Sequence, residues 1–206
     1  MNIGRVMQIM DASYRTRLTI ERSLHEIDRR ALNAMVLVKR HGNKLAGYGV
    51  IAQSFRERAA HLEEAASPLR NSIAPLVRAH LCILQHRRHT EMLRRAAAGI
   101  ASNRDMRAAL RRSEEDRERT IAKEEAQALA ILRQLVLAVT RLQEGIAEQE
   151  YVVTNGRIEA ALAERCGAPL MRVSHEMGVA VATVRDAVRE YRSDLEEALH
   201  ENSSSL

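Results

Sequence analysis

Apolar residues recur in alternating steps of four and three along four long stretches of this 206-residue chain. The stretches cover residues 20–38, 55–76, 128–146 and 177–198. This spacing places the apolar side chains on one stripe of an α-helix, and such a stripe must be buried against other helices. Only 2% of the residues are aromatic, which suits a core of closely spaced helices. The pattern therefore predicts an all-α fold.

The first two stretches and the last two share one register. A shift of 122 residues places Ile20 on Leu142, Phe55 on Met177 and Asn33 on Asn155, with no gap. Self-similarity at a fixed period is the sign of an internal repeat. We therefore interpret the chain as a tandem duplication.

Each half contains a break near its centre, where a helix can fold back. Glycine and asparagine tolerate the positive φ that ends a helix, and proline can begin the next one. The predicted turn residues are Gly42, Asn43, Gly47, Gly167 and Pro169. A third break separates the two halves at 99–104.

These features predict an elongated antiparallel four-helix coiled-coil bundle, made of two tandem helical hairpins and narrowing to a two-helix stalk. The first hairpin spans 1–98, with its tip near 41–47, and the second spans 105–200, with its tip near 164–169. Residues 99–104 form the U-turn between them, and 201–206 are expected to be a disordered tail. The stretch around the U-turn is polar, as expected where only two helices overlap.

The composition narrows the functional classes. Two cysteines offer no disulfide framework, and no apolar run approaches the roughly 20 residues of a membrane span. We therefore expect a cytoplasmic protein. We find no nucleophile–base set, phosphate loop or carboxylate pair, so we expect no enzymatic activity, no small-molecule substrate and no cofactor.

The first break resembles the signalling tip of bacterial methyl-accepting chemotaxis proteins, whose cytoplasmic hairpins turn at a glycine-punctuated segment. The matching residues of the first half lie in 31–59, and they are Ala31, Leu32, Asn33, Ala34, Val36, Arg40, Gly42, Gly47, Tyr48, Val50, Ile51, Ala52, Arg56 and Ala59. The second half matches independently at Asn155, Ile158, Glu159, Ala160, Ala161, Ala163, Gly167, Val173 and Glu176. Receptors of this family pair two hairpins from two chains, whereas here both hairpins lie in one chain.

The resemblance implies a single-chain mimic of a receptor dimer tip. Such a tip would contact a CheA-type histidine kinase, a CheW-type coupling protein or other receptors, or would form a homo-oligomer. In tip one the implied contact residues are Leu32, Asn33, Val36, Arg40, Val50 and Ile51. In tip two they are Asn155, Ile158, Glu159, Val173 and Glu176.

Three further features leave alternatives open. Glu63 and Glu64, flanked by alanines, resemble a receptor methylation site, although a solvated glutamate pair is the simpler interpretation. Cys82, His86 and His89 share one helical face, which would suit a metal or haem site, but a seam or surface role is the simpler interpretation.

Residues 70–112 hold ten arginines against two acidic residues. As an alternative function, this Arg-rich stalk of a helical adaptor would bind an anionic surface, either lipid or nucleic acid.

Overall fold

A computed structural model of the chain describes residues 3–99, 104–163 and 167–203. Helix α1 (Ile3–His41) is followed by a 3-10 helix (Gly42–Leu45) and then by α2 (Ala46–Asn71) and α3 (Ile73–Gly99). Helices α4 (Arg104–Leu162) and α5 (Gly167–Ser203) complete the order. The described ranges contain no β-strand. The prediction of an all-α fold is confirmed.

Four helices form a closed ring of contacts, in which α1 packs on α2 and α5, and α4 packs on the same two helices. Neighbours in the ring are antiparallel, because residue numbers fall on one helix as they rise on the next. The contacts that show this are Ser13–Leu69 and Asp28–Arg56 between α1 and α2, Arg5–Glu197 and Arg30–Glu176 between α1 and α5, and Gln143–Arg192 and Glu150–Arg185 between α4 and α5. The same relation holds between α2 and α4, where Phe55 lies beside Gln149 and Leu62 beside Gly145.

The core is built from the apolar stripes that the sequence displays. Every residue of the four predicted 4/3 runs is buried except Val38 and Ile73, and these two are half-buried and pack against the core. The stripes are continuous because a 4/3 alternation keeps one side of a helix turned inward over many turns. Helix α4 extends over 59 residues, and its buried stripe begins at Ala128.

The second arm of the chain is bent where α2 gives way to α3. Pro68 lies in the last turn of α2, and Pro75 lies in the first turn of α3, where no backbone N–H is needed. Ser72 keeps near-helical dihedrals (φ −90°, ψ −17°), and its N–H donates to the Pro68 carbonyl at 3.0 Å. The two prolines therefore separate α2 from α3, and both helices still pack against α4.

Beyond the ring, α3 and α4 pack only on each other within the described ranges 3–99, 104–163 and 167–203. Among the described residues between 85 and 127, only Thr90 is buried. Ion pairs join the two helices there, from Arg87 to Glu125 at 2.6 Å and from Arg94 to Glu114 at 2.5 Å and Glu118 at 2.9 Å. We refer to this part of the molecule, 85–99 with 104–127, as the stalk.

One of the predicted boundaries can be compared with the helices, whereas another lies largely outside the described residues. Helix α5 continues to Ser203, so the first three residues of the predicted disordered tail are helical. The predicted U-turn between the two halves falls largely on 100–103, which lie outside the described residues.

Candidate docking surface at the paired bends

The bend between α1 and α2 lies beside the bend between α4 and α5. The buried Tyr48 hydroxyl donates a hydrogen bond to the Leu170 carbonyl at 3.2 Å and lies 2.7 Å from the Ser174 hydroxyl. Burial raises the pKa of Tyr48, and the hydrogen bond with Ser174 partly offsets this rise. Tyr48 and Leu170 are separated by 122 residues, which is the offset of the sequence repeat. Equivalent points of the two halves therefore lie at the same level of the ring.

Glycines allow the helices to approach closely at this end. A Cβ on Gly156 would lie 2.9 Å from the Ser174 hydroxyl oxygen and 3.3 Å from Ile51. A Cβ on Gly167 would overlap the Ala160 carbonyl oxygen, which is rigid backbone. Helices α4 and α5 can therefore meet at their bend only because position 167 has no side chain.

The predicted turn residues divide into two groups. Gly42, with a φ of 64°, and Asn43 lie in the 3-10 helix that reverses the chain, as expected for residues that leave a helix. Gly47, Gly167 and Pro169 lie instead in the first turns of α2 and α5. A Cβ on Gly47 would displace the carboxylate of Glu159, so Gly47 lies at a contact between the halves and not in the reversal itself.

In tip one, most of the predicted contact residues lie on the surface. Leu32 is 43% exposed, Val36 51% and Val50 68%, and Asn33 and Arg40 are also exposed. Ile51 is different, since it is half-buried and packs against the core beside Gly156.

In tip two, the predicted contact residues are more mixed. Ile158 is 53% exposed, whereas Asn155 and Glu159 are half-buried. Val173 is buried at 8% exposure, so its side chain belongs to the core and not to a contact surface. Glu176 is half-buried and binds Arg30 of α1 at 2.5 Å and Arg172 at 3.1 Å.

Two of the exposed apolar residues occupy equivalent positions of the repeat. Val36 and Ile158 are separated by 122 residues, and their exposed fractions, 51% and 53%, are nearly equal. Leu162 (71%) and Met171 (37%) are also exposed near the second bend, although the sequence interpretation did not include them. Leu162 is the equivalent of Arg40 under the same offset, so the repeat itself could have identified it. We call the set Leu32, Val36, Val50, Ile158, Leu162 and Met171 the paired-bend surface. It has two faces, since the first three residues belong to the first half and the last three to the second.

The remaining candidate residues lie away from the bends. Glu63 and Glu64 are exposed on α2. Cys82 and His86 are half-buried on α3, and the part of the chain that the structure describes holds no group of three or more His, Cys, Asp or Glu side chains able to bind a metal ion. His80 is buried, and burial lowers its pKa.

No described helix is both long enough and apolar enough to cross a lipid bilayer. Comparisons of the chain with models of known protein families, with curated proteins and with solved structures find no match.

Proposed function

We propose that this chain is a non-catalytic, chemotaxis-receptor-like signalling or scaffold protein. In this proposal two tandem coiled-coil hairpins form a single-chain counterpart of a receptor dimer tip. The paired-bend surface docks onto a CheA-type histidine kinase and a CheW-type coupling protein in the cytoplasm. The observation that carries the proposal is the equal exposure of Val36 and Ile158 at equivalent positions of the repeat, beside the two bends.

Exposure of these side chains is unfavourable for an isolated chain. Burying a Val, Ile or Leu side chain contributes roughly 1.5–3 kcal/mol, and residues on the outer side of a helix are usually polar. Both halves nevertheless place a branched apolar residue at this outer position. A partner that covers this side chain in each half would explain why both Val36 and Ile158 are apolar.

Register between the halves supports the comparison with a receptor dimer. Six residues of the first half and their counterparts 122 positions later are buried in both halves, and the pairs are Ile20–Leu142, Leu24–Ile146, Ala31–Val153, Phe55–Met177, Leu62–Val184 and Leu69–Tyr191. Two hairpins with matched inner faces form a pseudo-symmetric ring, so two like surfaces face outward on opposite sides. The proposal therefore expects two docking faces per molecule.

The test is a pull-down of the purified full chain with the CheA-type kinase and the CheW-type coupling protein of the same organism. Val36→Glu and Ile158→Glu each place a charge on one docking face, and we expect each to weaken retention by about tenfold or more. Val50→Glu is a third suitable variant, because this residue is 68% exposed. Ile51→Arg is unsuitable, since it would also disturb the core.

Leu137→Glu is the matched control. Leu137 is 60% exposed on α4, more than five turns before Ile158. The proposal is wrong if the unmodified chain retains neither partner, or if Leu137→Glu weakens retention as much as the two tip variants do.

A further inference from the structure

A second exposed apolar surface lies far from the bends, on the outer face of α3. Leu81 is 54% exposed, Leu84 36% and Met92 59%, and Met10 of α1, which is 38% exposed, lines one depression together with Leu81. Leu84 follows Leu81 by three residues and Met92 follows it by eleven, so these α3 side chains lie on one side of the helix. The stripe from Ala74 to Met92 is about 27 Å long at 1.5 Å per residue.

Arginines alternate with these apolar side chains. Arg78 and Arg88 are exposed on the same stripe, and Arg70 lies one turn before it, at the end of α2. Two shallow depressions, of about 680 Å³ and 440 Å³, follow one another along this face and share Gln85. Among the described residues, those that line the two depressions include three arginines and no carboxylate.

The carboxylates next in sequence to Met10 and Met92 are already paired. Asp11 binds Arg15 at 3.1 Å, and Glu91 binds Arg95 at 3.0 Å. Both partners lie on the same helix as the acid, one turn away. The stripe itself therefore presents positive charge and apolar surface together.

We propose that this stripe of α3 binds an anionic lipid bilayer, with the long axis of the molecule parallel to the membrane. At the boundary between headgroups and acyl chains, an arginine reaches the lipid phosphates while an adjacent leucine or methionine enters the apolar layer. A nucleic acid would use the arginines but would gain nothing from Leu81 and Met92. The bilayer is the one polyanion that accommodates both kinds of side chain at the same depth.

The first test is co-sedimentation of the full chain with vesicles of phosphatidylcholine alone or mixed with phosphatidylglycerol. We expect binding to the anionic vesicles only, and weaker binding as salt is added. Each arginine near an anionic surface contributes roughly a fivefold gain, so Arg78→Glu with Arg88→Glu should reduce binding more than tenfold.

Arg133→Glu with Arg189→Glu is the matched control, since both arginines are exposed, on α4 and α5. Equal loss in the two double variants would mean that net charge alone drives the binding, and this would overturn the proposal. Absence of binding to anionic vesicles at low salt would overturn it as well.

The second test measures insertion directly. The chain has no tryptophan, so a single introduced indole reports its own surroundings. Leu81→Trp and Val179→Trp are a matched pair, because both native side chains are 54% exposed and Val179 lies on α5. We expect a blue shift of emission with anionic vesicles for Leu81→Trp and no shift for Val179→Trp.

Two other occupants would give different results. If duplex DNA competes fully with the vesicles and Leu81→Ser has no effect on either, the stripe is a nucleic-acid site and the proposal is wrong. If the chain sediments as a dimer that Leu81→Ser dissociates, and no indole shift appears, the occupant is a second copy. Failure of this proposal leaves the docking at the bends untouched, since the two surfaces share no residue.

Discussion

At the scale of single residues, the paired bends depend on one buried tyrosine. The Tyr48 side chain extends from α2 and reaches the backbone and a hydroxyl of α5. Leu170 occupies the position in the second half that is equivalent to Tyr48 in the first. The first half therefore contributes the hydroxyl donor and the second half the carbonyl acceptor, at the same level of the ring. The Tyr48 phenol therefore links the two halves at this level.

Replacing Tyr48 by phenylalanine should lower the free energy of unfolding by about 1–2 kcal/mol, because the buried Leu170 carbonyl and Ser174 hydroxyl lose a partner. Denaturant unfolding followed by circular dichroism measures the change. Tyr151→Phe is the control, as Tyr151 is 66% exposed on α4 and its loss should cost less than about 0.5 kcal/mol. Equal stability of the two variants would contradict a structural role for the Tyr48 hydroxyl.

Several residue-scale features were predictable and others were not. Gly42 was expected to leave a helix, and its φ of 64° agrees. Gly47 was assigned to the same turn, yet it lies in α2 and makes room for Glu159 of the other half. Close approach between elements distant in sequence leaves no local signal, which is why the sequence could not separate these two roles.

At the scale of elements, α3 and the first half of α4 differ from the other helices. Among the residues that the structure describes, the stalk parts of these two helices pack only on each other, and ion pairs such as Arg87–Glu125 link exposed side chains. Exposed ion pairs typically contribute only up to about 1 kcal/mol each. Thr90 is the only buried residue among the described residues of the stalk. The stalk therefore has far less buried apolar surface per residue than the ring.

Hydrogen exchange should reveal this difference. Amides of 87–98 and 105–120 should exchange well before those of 128–146, because opening the stalk exposes little apolar surface whereas opening the ring exposes the core. Mass spectrometry of peptic fragments after timed labelling gives the order. Simultaneous exchange of both regions would mean that the stalk and the ring unfold as one unit.

Helix-level predictions succeeded where burial follows a repeating pattern. The second arm is interrupted at Pro68 and Pro75, because proline lacks the N–H that a helix needs. Val173 was expected at a contact surface on the basis of resemblance, but it is buried. The alternation continues back from Met177 by a step of three to the buried Ser174 and then by a step of four to the buried Leu170, so the strict pattern does not include Val173.

At the scale of the whole molecule, two buried tyrosines link stability to alkaline pH. Burial raises the pKa of Tyr191 to about 12, and it also raises the pKa of Tyr48. A phenol whose pKa is higher in the folded chain than in the unfolded chain contributes its full stability below the unfolded value of about 10. That contribution is lost as the pH rises from about 10 towards 12.

The free energy of unfolding should therefore fall by about 1.4 kcal/mol per pH unit for each such tyrosine above pH 10 or so. Urea unfolding at a series of alkaline pH values measures the slope. Tyr191→Phe should make the decline shallower, whatever it does to the stability at neutral pH. An unchanged slope in this variant would show that Tyr191 ionises without opening the core.

The sequence by itself determined the helices, the inward stripes, the in-register repeat and the place of the bend in the second arm. Each of these follows from local chemistry, either the 3.6-residue period of a helix or the missing N–H of proline. Only the tertiary structure decided which outer positions stay exposed. Val36 and Ile158 lie on the surface and Val173 in the core because three-dimensional packing selects which side of each helix faces its two neighbours. The same packing placed Met10 of α1 beside Leu81 of α3, a pairing across 71 residues that no periodic pattern encodes.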